Sequence, residues 1–125
     1  MDNRLDDGFT LIELLVVMIV IGILAAIAVP TFLHQRQQGY LTLMRSDLRN
    51  AVTAENAYGT NHPGFTDQLV DLTDEGYRAS RDVTPVHLKL VADSFVACVK
   101  HASIDSWLVY DGSSGETSST TSDCV

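Results

Sequence analysis

A chain of 125 residues with formal charge −8 has room for one small folded domain and little else. Its acidic balance repels phosphate, which disfavours nucleic-acid binding through a broad basic face. Two cysteines, Cys98 and Cys124, cannot make a zinc site without histidines at ligand spacing. His34, His62, His87 and His101 show no such spacing and read as scattered surface side chains.

Residues 1–8 are polar, too short to fold, and read as a leader to be removed. Removing Asp2, Asp6, Asp7 and Arg4 leaves 13 acidic and 7 basic side chains, a charge of −6. Residues 9–33 then form an apolar run of 25 residues whose one formal charge is Glu13. As a helix rising about 1.5 Å per residue, this run crosses a hydrocarbon layer of about 30 Å. A carboxylate inside such a span costs roughly 2.5–3.5 kcal/mol near the centre and asks for a partner. Cutting after Gly8 would free the Phe9 amine beside Glu13, or beside the Glu13 of a neighbour.

Gly8 followed by FTLIELLVVMIVIGILAAIAVP resembles the class III signal of type IV prepilins and pseudopilins. The resemblance covers residues 8–33. It implies cleavage between Gly8 and Phe9 by a membrane peptidase that also methylates the Phe9 amine, with Glu13 as the family's glutamate and Gly22 and Pro30 as its helix-softening positions. It also implies an α+β pilin-like fold, in which a long N-terminal helix packs on a small antiparallel sheet of three to four strands. The implied partners are further copies of the chain in a homopolymer filament, the prepilin peptidase/methyltransferase, an inner-membrane assembly platform and the membrane. No enzyme activity and no cofactor are implied. The implied location is a single-pass cytoplasmic membrane precursor, then an extracellular or envelope filament. The leader departs from the family in reading Asp6-Asp7-Gly8 where basic residues are usual, and only Arg4 and the initiator amine favour a cytoplasmic N-terminus. A secretory signal cut after Ala26-Ile27-Ala28 is the competing reading, opposed by the acidic leader and by Glu13. A plain single-span anchor is another, and it leaves Glu13 unpaired.

The 34–125 portion reads as one globular domain: a helix half at 34–58, a loop at 59–85, and a sheet and tail at 86–125. Leu41, Met44, Leu48, Val52 and Tyr58 recur at helical spacing, with Arg45, Asp47, Arg49, Asn50 and Glu55 between them on the polar side. Pro30 removes a backbone donor and Gly22 leaves the backbone unbraced, so the segment between them is expected to bend or loosen. The Gly59-Thr60-Asn61-His62-Pro63-Gly64 cluster predicts the helix end at Tyr58 or Gly59. A short helical turn over 67–72 follows, capped by Thr66 or Asp67 and ended by Gly76.

Strands are predicted at 86–92, 95–100 and 107–110, the first two forming a hairpin around Asp93-Ser94. Either face of 95–100 could be buried. The Ser/Thr-rich tail from Gly112 is expected to be flexible on its own and pinned at Cys124. An even cysteine count in a small exported domain favours a Cys98–Cys124 disulfide, with two free thiols as the alternative. Such a bond would contribute roughly 3–4 kcal/mol in the chain-entropy picture. Catalytic signatures are absent, since Gly112-Ser113-Ser114-Gly115 lacks the G-x-S-x-G pattern. Asp111, Glu116 and Asp123 in a loose loop could hold calcium, although their spacing does not follow the twelve-residue calcium loop. Within the resembled family, a major pilin, a secretion pseudopilin and a competence subunit stay open, and outside it an exported or anchored ligand-binding module does.

Overall fold

The computed structural model describes residues 8–124, so the leader side chains before Gly8 lie outside the described residues. The chain divides into two compact units, one ending at Arg36 and one beginning at Gln37. Helix α1 spans Leu11–Asn61 and contributes to both. In the first unit its side chains are exposed throughout, and the helix passes through Pro30 without a break.

The C-terminal end of α1 runs three residues past the expected stop at Tyr58. Thr60 Oγ1 donates to the Asn56 carbonyl at 2.8 Å, Asn61 Nδ2 to that of Ala57 at 3.3 Å, and the His62 amide to that of Tyr58 at 3.0 Å. These bonds carry the helix over Gly59 until Pro63 forbids continuation. Helix α2, Leu69–Asp74, begins two residues later than expected. Its N-cap is Gln68, which makes no side-chain cap bond. Thr66 acts from one step further out, its Oγ1 accepting the Gln68 amide at 3.0 Å and donating to Asp71 Oδ2 at 2.6 Å. Gly76, at φ +98°, ends the helix, because only glycine takes that left-handed backbone without strain.

Four strands follow in the order β1 (His87–Val91), β2 (Ser94–Val99), β3 (Trp107–Asp111) and β4 (Glu116–Thr120), every neighbour antiparallel. The first turn is Ala92–Asp93, with Ala92 at φ 50°, so Ser94 opens β2 instead of closing the turn. The tail, expected to be flexible, supplies β4: Glu116–Thr120 pairs along the whole of β3 from Asp111↔Glu116 to Trp107↔Thr120. A Thr-Ser-Ser-Thr run offers no apolar face to read, and backbone pairing decides the matter instead.

The core lies between the later part of α1 and the sheet. Met44, Leu48, Ala51 and Ala54 pack with Leu72, Tyr77, Val83, Val86, Phe95, Ala97, Val99 and Leu108, and Leu41 and Val52 are partly buried against them. The buried face of β2 is therefore the one carrying Phe95, Ala97 and Val99. Two acids placed on the polar side of the helix are buried instead. Asp47 Oδ2 accepts the Ser80 amide at 2.7 Å and its Oδ1 the Ser80 hydroxyl at 2.6 Å. Glu55 Oε1 accepts the Thr66 amide at 2.6 Å. Eight residues apart on one helix, the two carboxylates hold the connecting loop where backbone amides would otherwise go unpaired. His101 is likewise buried, stacked on Tyr40 at 4.1 Å and accepting the Ser103 amide at Nδ1 (3.0 Å), which corrects its reading as a surface histidine.

Candidate assembly site

The first unit presents a helix whose surface is apolar on all sides. Phe9 is 85% exposed, and Leu11, Ile12, Met18, Ile23, Leu24, Ile27 and Phe32 are all exposed as well. This is the one helix among the described residues long and apolar enough to cross a membrane. A stripe buried against a domain would spare one face for water, and here no face is polar. A Cβ placed on Gly22 would meet nothing within 4 Å, so packing within the chain does not require glycine there. Near Pro30, Thr31 Oγ1 donates to the Ile27 carbonyl at 3.0 Å.

Glu13 has a partner within its own chain. Its Oε2 accepts the Thr10 amide at 2.9 Å and the Thr10 hydroxyl at 2.7 Å, while the Glu13 amide donates to Thr10 Oγ1 at 3.3 Å. This reciprocal capping box starts α1, and the Thr10-x-x-Glu13 spacing that signals it stands in the sequence. Glu13 therefore has hydrogen-bond partners within its own chain, while its charge stays uncompensated by them. The bonds satisfy hydrogen-bonding capacity but bring no positive charge, so a compensating cation is still wanted in an apolar surrounding. Phe9 adjoins Thr10, which places its nitrogen at the same end of the helix as this carboxylate.

At the other end of the chain Cys98 and Cys124 are joined, with Cα atoms 6.3 Å apart. The bond ties the residues after β4 back to the buried centre of β2. Asp111, a candidate calcium ligand by sequence, uses its carboxylate locally, with Oδ1 accepting the Ser113 amide at 2.8 Å and hydroxyl at 2.6 Å. The hydroxyl and then the amide hold its carboxyl below the usual range. Among the described residues no group of three or more His, Cys, Asp or Glu could hold a metal ion.

The profile of the prokaryotic N-terminal methylation motif matches residues 3–29. The type IV wide pilus major component PilA4 of Thermus thermophilus is 30% identical over 94% of this chain and 95% of its own length. The chain belongs to the type IV pilin and pseudopilin family. The competence protein ComGC of Bacillus subtilis is 32% identical over 77% of this chain and 98% of its own length. The type II secretion system core protein G of Pseudomonas aeruginosa is 38% identical, over 46% of this chain and 41% of that protein. As a pilin-like subunit the chain is structural and not an enzyme. Its exposed apolar helix is the part that a membrane, and then a polymer of its own kind, would cover.

Proposed function

We propose that this chain is the repeating subunit of a type IV pilus or pilus-like filament. It is cut after Gly8, methylated at the Phe9 amine, and polymerised by stacking residues 9–33 of many copies. The observation that carries this reading is the all-round apolar helix with Glu13 at its start. In a membrane precursor, lipid covers that helix. In a filament, neighbouring helices do so, and the Phe9 amine of one copy neutralises Glu13 of another, removing an unpaired charge and setting axial register. Gly22 and Pro30 then give the helix its freedom to adjust on leaving the bilayer.

Likeness to the Thermus pilus component along nearly the full length of both chains supports an abundant subunit over a minor one. Near-complete coverage of the competence protein favours a second reading, a pseudopilin of a competence machine. Shearing filaments from native cells, imaging them and identifying their subunit by intact mass tests the proposal. A mass beginning at N-methyl-Phe9 is expected. A mature chain beginning at Val29 or at Met1 would contradict it.

A further inference from the structure

Beside the later part of α1 an open groove of about 310 Å³ is lined by Arg45, Leu48, Arg49, Val52, Tyr110 and Thr117. Leu48, Val52 and Tyr110 give it an apolar floor, and Arg45 and Arg49, both exposed, stand on its helix side. Neither guanidinium makes a salt bridge among the described residues. On a chain as acidic as this one, a paired positive site over an apolar floor suits a partner that is apolar and acidic together.

The chain carries such a partner in α2. Val70 is 61% exposed and Leu69 36%, with Asp67 just before the helix and Asp74 one turn after Val70, both exposed. Asp71 is engaged by Thr66, and Asp67 Oδ1 accepts a bond from the exposed Gln68 Nε2. A copy does not fill its own groove with this knob. Its loop is held at Thr66 by Glu55, six to ten residues along α1 from the two arginines, about 9–15 Å at helical rise. Knob and groove are thus different patches of one surface, and a contact between them is heterologous, the kind that propagates instead of closing into a dimer.

We infer that the Arg45–Arg49 groove of one copy receives the Val70, Asp67 and Asp74 knob of a neighbouring copy. This contact rests on the filament reading above and adds to it a second interface, outside the apolar helix. Val70 covers the apolar floor while Asp67 and Asp74 face the guanidiniums. Burial gives the contact its affinity and the charges fix partner and direction.

The test expresses the full chain and compares sheared-filament yield with membrane-fraction subunit for four versions: wild type, Arg45→Glu/Arg49→Glu, Asp67→Lys/Asp74→Lys, and the combination of both pairs. Each one-sided reversal should lower filament yield about tenfold or more at unchanged membrane subunit, and the combination should restore most of it. One-sided reversals at wild-type yield, or a loss that the combination does not restore, overturn the contact. Full yield accompanied by lost retention of DNA would assign the groove to a phosphate polymer and overturn it also. An Arg49→Cys/Asp74→Cys chain gives an independent reading should reversal lower membrane subunit: disulfide-linked multimers on oxidation support the contact and monomers refute it. Wild-type cells without filaments would remove the filament reading and this inference together, whereas normal filaments with unaffected variants remove this inference alone.

Discussion

Glu55 and Thr66 form the buried joint between helix and loop, the Thr66 amide donating to Glu55 Oε1 at 2.6 Å. The other carboxylate oxygen, Oε2, is buried with no hydrogen-bond partner among the described residues. Burial raises the Glu55 carboxyl above its ordinary value of 4.5; the Thr66 amide opposes this, and Asp71 and then Asp67 add to the rise.

A raised carboxyl binds its proton more tightly in the folded state than in the unfolded one, so folding is favoured below about pH 4.5 and loses that advantage as pH rises through the folded value. Replacement by Gln keeps an acceptor for Thr66 and removes the charge. Thermal melts of wild type and Glu55→Gln in detergent, from pH 4 to 8, should show wild type losing stability relative to the variant as pH rises. Parallel curves would contradict this.

Asp47 holds Ser80 by two bonds, and truncating it leaves a half-buried amide without that acceptor. Asp47→Ala should cost about 2–3 kcal/mol and Ser80→Ala less, because only the hydroxyl bond is lost and the amide bond survives. Denaturant unfolding of the two variants checks the order.

How far the sequence revealed these features depends on which force decides each element. The apolar run at 9–33, the helix stripe through Met44 and Leu48, and the β1–β2 hairpin all follow from side-chain periodicity, and they stand in the structure within a few residues. Strand β4 depends on backbone pairing to β3, which Ser and Thr do not advertise. Asp47 and Glu55 sit at helix positions where a polar residue ordinarily faces water, and they are buried because amides 33 and 11 residues away meet them. Such long-range satisfaction leaves no local pattern. The Thr10-x-x-Glu13 capping box, by contrast, is a local spacing that the sequence does advertise.

The disulfide closes the chain from Cys98 to Cys124, 26 residues on. Cys124→Ser should lower stability by about 3 kcal/mol in the chain-entropy picture. The expected readout is a lower denaturation midpoint that reductant no longer shifts, and alkylation of both thiols in unreduced folded wild type would contradict the bond.

Gly112 marks the point where β3 leaves the sheet, its amide donating to the Phe95 carbonyl at 2.8 Å. A Cβ there would lie 2.7 Å from Ser94 Oγ and 2.8 Å from the Phe95 carbonyl oxygen. The serine can turn away but the backbone cannot, so Gly112→Ala should cost about 1–3 kcal/mol. A melting temperature equal to wild type would show that the turn yields freely.

The central claim, polymerisation through a helix whose Glu13 meets a neighbour's Phe9 amine, is tested most directly at Glu13 itself. Glu13→Gln retains an acceptor for the Thr10 amide and hydroxyl, so the capping box persists. It removes the negative charge, which eases membrane insertion but leaves the Phe9 amine uncompensated in an apolar core. The measurement is processed subunit in the membrane fraction beside sheared-filament yield, for wild type and Glu13→Gln. The account predicts membrane subunit near the wild-type level with filament yield reduced at least about tenfold, as expected from burying one unpaired charge; filaments at wild-type yield would contradict it.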